Sequence, residues 1–443
     1  MSGDGLVRSR YSLTFPSDRE GEVIFFSAKT AAAVRLPAQL VDGIETGLLE
    51  QEEERQLLDL GLLVPDLEQE RREMLTFVSE LEAAAGTLRL IVVTAHACNL
   101  ACSYCYQGPE KNTARLSSAV SELLVRFATA SAFERGRDLK VTFYGGEPLL
   151  GLDRILPLTE KLQLAAAARG RTFNFSFITN GTLLTREAAA ELRPLGLRAA
   201  LVTLDGPAAN HDRQRPLRNG GGSFQRIIEN LQQTWDLVDL QINANYSQAV
   251  YREYPRFLDD LLAAGLGPER IGAVSFSPIT WESRSPTFAG GCRTGNEPWL
   301  FGAAPFLREE TLRRGYRTDR IRPTVCMVDL AHELVVDCDG SLYKCPCFIG
   351  EERFRVGHLA TGVRERGEAY GWDRWQNAEC LACPYLPLCF GGCRYQVYQT
   401  EGTAVGLECR RPFFEATLAT FVTQDLAYKL AGTNGGGAPG PRP

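Results

Sequence analysis

Between residues 87 and 289 six short apolar runs alternate with amphipathic stretches, and this repetition limits the fold more than any other feature of the chain. The runs cover residues 88–93, 139–144, 173–179, 197–204, 240–244 and 273–277. They are too short for buried helices and rich in branched and aromatic residues, which predicts strands; the intervening stretches, such as 118–133 and 224–237, carry the helical period. Strands separated by helices pair in parallel, because a long crossover returns the chain to the same end of the sheet. Six such units predict an α/β domain whose parallel sheet curls, with any active site at the carboxyl ends of its strands.

The flanks read differently. Residues 1–86 begin with strand-like runs at 11–15, 23–26 and 34–36 and continue with two helical stretches that end at the apolar run 57–64; a charged helical connector follows at 67–85. At 443 residues, 44% apolar and net charge −6, the chain is long enough for two or three domains with ample core. Its charges are interspersed and mildly acidic, which excludes nucleic-acid binding as the main task. Residues 1–15 lack a signal-peptide core and no segment has the apolar length of a membrane span, so a cytoplasmic protein is expected, with no membrane partner. Thirteen cysteines in a reducing cytosol are then metal ligands before they are disulfides.

Three of these cysteines, Cys98, Cys102 and Cys105, form a C-x3-C-x2-C triad directly after the first run. Three thiolates within eight residues can wrap one iron-sulfur cluster from a single loop and leave its fourth iron without a protein ligand. A structural zinc site would close its sphere with a fourth Cys or His, and the nearest such residue, His96, lies on the strand side of the loop. The competing reading is zinc or buried thiols. The loop, with the aromatic Tyr104 before the third cysteine, resembles the cluster-binding motif of the radical S-adenosylmethionine (SAM) enzymes. That resemblance implies a partial (β/α)6 TIM-like radical SAM barrel over residues 87–290, a SAM-binding [4Fe-4S] cluster on the triad, and Tyr104 and Tyr106 close to the cofactor.

Other strand ends extend the resemblance. Tyr144-Gly145-Gly146-Glu147-Pro148-Leu149 is similar to the family's GGE motif, whose backbone carbonyls and polar neighbours hold the SAM amine; Gly145, Gly146 and Glu147 would serve here, Glu147 adding charge complementarity. Two glycines also allow close backbone approach and positive φ, and a tight turn would use the same residues. Thr179-Asn180-Gly181 resembles the family's TNG turn, or is an ordinary Asn-Gly turn. In Thr203-Leu204-Asp205-Gly206-Pro207 and His211-Asp212-Arg213-Gln214-Arg215, similarity to the family assigns Thr203 to the SAM ribose and Arg215 to its carboxylate, where the guanidinium fork suits a bidentate grip. Threonine stands where the family has serine and keeps the hydroxyl. Asp205 is open between this site and the substrate, and His211 reads as a structural neighbour.

A second ordered set comprises Cys326, Cys345, Cys380, Cys383, Cys389, Cys393 and Cys409, with thirteen residues between the first and Gly340. Short spacings place two sulfurs on one metal and long gaps need a fold to close them, so the set suits two interleaved sites; a zinc ribbon is the alternative. The pattern resembles the SPASM extension, here residues 291–430. The resemblance implies two auxiliary clusters, hence three [4Fe-4S] clusters in all: one on Cys326, Cys345 and Cys393, the other on Cys380, Cys383, Cys389 and Cys409. The first then lacks a fourth ligand, for which Cys292 is the candidate, an open substrate-binding iron being the rival. Cys338 lies in a hairpin that turns at Asp339-Gly340 and reads as a small strand residue; Cys347, after Pro346, either replaces a ligand or stays a thiol.

Residues 1–86 look like a winged-helix peptide-recognition domain, whose strand edge a leader peptide can extend; a structural or dimerising cap stays open. The last residues, 431–443, read as a flexible tail. Together these resemblances imply an oxidoreductase that reductively cleaves SAM to a 5′-deoxyadenosyl radical and cross-links a ribosomally synthesised precursor peptide, using a flavodoxin- or ferredoxin-type electron donor. Sulfatase-maturing enzymes share the architecture but carry an acidic base directly after the cysteine matching Cys345, where this chain has Pro346. A formylglycine-forming maturase is therefore the second reading, and a non-catalytic iron-sulfur or zinc scaffold the third.

Overall fold

A computed structural model describes residues 6–108, 113–281, 291–364 and 368–428. They gather into two compact units: one contains the described residues up to Ala84, Arg320–Leu330 and those from Gly371 onward, and the other contains Ala85–Asp319 and Ala331–Tyr370. The expected tail at 431–443 lies outside the described residues. No helix among those described is long and apolar enough to cross a membrane.

In the first unit, β1 (Val7–Arg8) pairs with β5 (Leu63–Val64), and β2 (Ser12–Pro16), β3 (Glu22–Ser27) and β4 (Ala33–Pro37) form an antiparallel sheet in that order. The period-two alternation of β3 decides what each face covers. Phe25 points to the helices of its own module and buries against Ile44, Leu57, Leu62 and Leu63. Ile24 and Phe26 point the other way, into a core completed by Trp375, Leu386, Phe390, Phe414, Leu418 and Val422 from the far end of the chain. The predicted connector is the helix Leu67–Ala83, started by the Asp66 carboxylate accepting from Gln69 N, and its Met74 and Val78 enter the same core.

The second unit carries the predicted repeat. Strands β6 (Thr87–Ala95), β7 (Asp138–Gly145), β8 (Phe173–Thr179), β9 (Leu197–Thr203), β10 (Asp239–Tyr246) and β11 (Ile271–Pro278) lie side by side and parallel, in chain order. The crossover helices start on side-chain caps where the sequence has them: Ser117 accepts from Val120 N and Thr185 from Ala188 N. Helix Ser118–Ser131 stops two residues short of the expected end, passing through a 3-10 turn to Gly136 in the left-handed region. Beyond β6 the sheet continues: β12 (Glu333–Val336) lies parallel to β6 with Val335 opposite Ile91, and β13 (Ser341–Tyr343), β14 (Gly357–His358) and β15 (Gly362–Val363) follow antiparallel. The hairpin between β12 and β13 turns at Asp339-Gly340 as expected, with Asp339 Oδ1 accepting from Ser341 N and Gly340 at φ +91°.

Candidate active site

All the motifs of the second unit meet at the carboxyl ends of β6 to β10. The cysteine loop leaves β6 at Ala95 and is tied down by the segment that follows β9: Ala101 N donates to Pro216 O, Ser103 N to Gln214 O and Arg218 N to Asn99 O, each at about 3 Å. Arg218 also reaches Cys98 O at 2.7 Å. Cys98 is 6% exposed, with its sulfur facing Leu100 N and the Asn180 amide; Cys102 and Cys105 are half-buried.

The donor set distinguishes between metals. Thiolates on one tetrahedral zinc have sulfurs about 3.8 Å apart, given bonds of about 2.3 Å. Among the described residues the three-donor group that converges within 4.8 Å is His96, Asp337 and Cys338, not the triad. Three sulfurs spread over one loop match a multi-iron cluster better than a single ion. In the compact trio His96 Nε2 lies 2.7 Å from Asp337 Oδ1, while the Cys338 thiol donates to Val93 O and its pKa is raised to about 12 by burial and by the neighbouring Asp337 and Asp339. Those contacts tie the start of the cysteine loop to the strand hairpin.

The glycines after β7 serve that loop. Gly145 has φ +142°, and a Cβ there would sit 2.2 Å from Ala95 O; a Cβ on Gly146 would lie 2.4 Å from both His96 O and Ala97 O. Gly146 N and Glu147 N donate to Ala95 O and Ala97 O, so the loop backbone itself fills the space the glycines open. Glu147 is fully buried, and its carboxylate is engaged by Leu149 N, Thr179 Oγ1 and Asn180 N. Burial raises its pKa and these donors oppose the rise. The carboxylate therefore locks the turns after β7 and β8 together. Asn180 passes the link on, donating to Asn99 Oδ1 at 2.8 Å.

Around Asp205 the polar groups form one saturated hub. Asp205 is fully buried and accepts from Asn245 N at 2.9 Å, from the Asn245 amide and from Tyr104 OH. Tyr104 OH in turn accepts from Arg215 Nη1 at 2.7 Å and from Asn245 Nδ2 at 3.1 Å. Arg215 stands 3.7 Å from Asp205. Its burial works against its charge, but Cys102, Tyr104 and Asp205 more than offset this and hold its pKa well above the usual value. Burial raises the pKa of Asp205, and Arg215, Tyr104 and Asn245 restrain it. Arg215 Nε is buried with no protein partner among the described residues. A buried donor left unmade costs about 1–3 kcal/mol, so this atom is a vacancy for an acceptor such as a carboxylate. Thr203 is buried at the end of β9. His211 accepts from Asp205 N on Nδ1 and meets Ser223 Oγ on Nε2; burial, then Arg215, keeps it neutral.

On the other flank Tyr106 and Tyr144 are hydrogen-bonded to each other, with Cys105, Cys345 and Cys347 within electrostatic reach of Tyr144. Cys292 is buried in the segment after β11, its backbone bonded to Ile279 and Trp281. In the first unit Cys380, Cys383 and Cys389 line the shared apolar core. The exposed Cys409 lies close enough to raise the pKa of all three. Asn377 donates to Cys380 Sγ at 3.3 Å. Cys393 N donates to Glu408, and the half-buried Cys326 leads the 3-10 turn Met327–Asp329.

Sequence reasoning did not single out Asn99, Asn245, Arg218 or Asp337. Asn245 was within reach: β10 runs two residues beyond the apolar run that announces it, and polar residues at the carboxyl end of such a strand are site candidates.

Comparison with known proteins finds a family match within the second unit. The model of the Radical SAM superfamily matches residues 92–234. The cysteine-type anaerobic sulfatase-maturating enzyme of Clostridium novyi (strain NT) is 24% identical over 376 residues, 75% of this chain and 96% of that one. The fold is similar to native anSMEcpe with bound AdoMet and Cp18Cys peptide (20% identity, TM-score 0.55, 77% of this chain and 99% of that one). It is also similar to Streptococcus suis SuiB bound to precursor peptide SuiA (15% identity, TM-score 0.52, 91% and 99%).

Proposed function

Residues 92–234 are a radical SAM domain, which makes the chain a radical SAM enzyme, and from that premise we propose that it oxidatively modifies a ribosomally made precursor peptide. The modification joins a side chain to a neighbour through a thioether, carbon-carbon or carbon-oxygen bond. In this reading Cys98, Cys102 and Cys105 hold a [4Fe-4S] cluster, Arg215 receives the SAM carboxylate at its unpartnered Nε, and Thr203 offers its hydroxyl to the ribose. When bound, cluster and SAM supply one-electron reductive cleavage and, through it, hydrogen-atom abstraction from the substrate. Tyr104, Asp205 and Asn245 fix the orientation of Arg215, and Glu147 holds the turn on which the cysteine loop rests.

The observation that carries the oxidative half is the gathering of Cys380, Cys383, Cys389 and Cys409 around one another although 29 positions separate the first from the last. A second metal centre can accept the electron that remains after the new bond forms. With Cys326, Cys345 and Cys393 at a third, the protein holds three clusters, the first reduced by a flavodoxin- or ferredoxin-type donor. The peptide half is supported by the sheet β2-β3-β4, whose outer strands offer edges for a leader peptide, and by likeness to SuiB, solved with its precursor peptide, over 91% of the chain.

Relatedness to a sulfatase-maturating enzyme over 96% of its length favours a second reading, oxidation of a Cys or Ser to formylglycine. Against it, the residue after Cys345 is Pro346, which has no group to accept a proton. The test is anaerobic incubation of cluster-loaded protein with SAM, a strong reductant and either a candidate precursor peptide, sought among short reading frames near its gene, or a sulfatase-derived peptide. Formation of 5′-deoxyadenosine, abolished in Cys98→Ala, with a cross-link mapped by tandem mass spectrometry in the first peptide is the expected result. An aldehyde on the second peptide alone gives the maturase reading; intact SAM in both overturns the enzyme.

A further inference from the structure

The loop that carries Cys98, Cys102 and Cys105 has an inner and an outer side. On the inner side the buried Cys98 faces the Asn180 amide at the end of β8. On the outer side Ala101 and Ser103 are exposed, so the triad lies just beneath the surface. Residues 214–218 are fastened beside them, through Pro216 O, Gln214 O and the bridge between Leu217 and Leu100. The next four, Asn219-Gly220-Gly221-Gly222, are exposed and nearly bare of side chains, so a partner can come close to the backbone. The charge of this face is one-sided. From 211 to 228 the sequence holds four arginines and a single carboxylate, Asp212. Arg215 is buried and turned to Asp205. Asp212 is half-buried, and its Oδ1 accepts from Ser223 N and Phe224 N at 2.8 Å at the head of the helix Phe224–Thr234. Arg213, Arg218 and Arg226 remain exposed. The groups that Arg213 and Arg218 bond are uncharged: Asn210 Oδ1 at 2.5 Å and Cys98 O at 2.7 Å.

We propose that the face bearing Arg213, Arg218 and Arg226 is the docking surface for an acidic one-electron carrier protein. The inference rests on the proposed function in taking the triad as a cluster site; it adds where the electron enters and the charge of the protein that brings it. No bond is made or broken in that step: the reduced carrier loses one electron and the centre on the triad gains it. Position favours a carrier over a peptide substrate. Chemistry on a substrate belongs to the inner side of the loop, with Asn180, Asp205 and Arg215, whereas an electron can enter from the outer side. Charge favours it as well. The chain carries −6 overall, so its general field does not draw an acidic partner, and three arginines beside one loop fix both the place and the orientation of docking. Small charged surfaces of this kind suit the brief encounters of electron transfer. Arg218 is the link between the two halves, exposed to the carrier and bonded to the backbone of a triad cysteine.

The test uses the full chain, reconstituted anaerobically, with reduced flavodoxin as the probe carrier and dithionite as a small reductant that needs no docking surface. The SAM-sensitive paramagnetic signal is followed by rapid freezing. With flavodoxin its rate of appearance should fall as salt is raised, and Arg213→Glu/Arg226→Glu should slow it by about 10- to 100-fold at low ionic strength. With dithionite the same variant should develop the full signal at a rate that changes far less, which also shows that it folds and holds its cluster. Binding is read separately, by calorimetric titration of oxidised flavodoxin into the unreduced protein, where the double variant should lose the salt-dependent affinity of the wild type. Equal flavodoxin rates in wild type and variant overturn the proposal, as does a loss confined to capture of an acidic precursor peptide. A wild-type protein that gives no such signal even with dithionite overturns the cluster reading, and the docking surface with it.

Discussion

Arg215 concentrates the demands on the polar site. It is buried, pinned through Nη1 to Tyr104, balanced by Asp205 at 3.7 Å, and left with Nε unmade. Arg215→Lys keeps the charge but removes the fork, so the proposed two-point grip on the SAM carboxylate would become a single point. Losing one charge-assisted hydrogen bond is worth about 1.5–3 kcal/mol, which raises the Kd for SAM by about 10- to 100-fold in equilibrium dialysis of the cluster-loaded variant. An unchanged Kd would remove Arg215 from the SAM site. His211 makes a different prediction. Its folded pKa lies well below 6.5 because burial, and then Arg215, disfavour the charged ring. The unfolded chain therefore takes up a proton that the native state refuses once the pH falls below 6.5, so stability is full above that pH and is lost on acidification. Relative to His211→Gln, the wild-type protein should lose at most about 1.4 kcal/mol per pH unit between pH 6.5 and 5, measured from urea unfolding midpoints. A constant difference across that range would place a charged imidazole in the fold.

At the scale of elements the glycines after β7 carry the clearest test. A methyl on Gly146 meets two carbonyl oxygens at 2.4 Å, backbone atoms that cannot swing aside. Gly146→Ala should thus shift the cysteine loop, weakening the SAM-sensitive paramagnetic signal while circular dichroism stays unchanged; full iron loading at the triad would mean the loop tolerates the shift. This is also where legibility from sequence ends. β8 matches its predicted span, Phe173–Thr179, and the other barrel strands agree within two residues, because each run is local and its burial pattern is written in successive side chains. The meeting of the triad with Asn180, Asp205 and Arg215 follows from the parallel topology, which puts every strand's carboxyl end on one side. Glu147 was legible as a position but not as a role: nothing local says that Thr179, 32 residues on, engages its carboxylate. Likewise β12 joins β6 across 244 positions, Val335 lying opposite Ile91, through backbone pairing that leaves no motif.

The whole molecule is built from two units that the chain enters and leaves more than once, and this changes what the N-terminal module is for. Ile24, Phe26, Ala28, Met74 and Val78 are not the core of a detachable peptide-binding domain alone; they complete the core that Trp375, Leu381, Phe390, Leu418 and Val422 build around Cys380, Cys383 and Cys389. Phe26 is fully buried there, and Phe26→Ala alone should cost about 3–5 kcal/mol. Deleting residues 1–84 strips one side of that core. If the module only recognised a leader peptide, the shortened protein would lose peptide affinity and keep its auxiliary iron. The packing predicts more: amides of helix Arg411–Ala427 should lose hydrogen-exchange protection, and any iron held at the proposed Cys380, Cys383, Cys389 and Cys409 centre should fall with it, while β6 to β11, whose core lies in the other unit, stay protected. Protection retained in Arg411–Ala427 would show that the far segment holds its cysteines without the N-terminal sheet, and peptide capture would then suffice to explain the module.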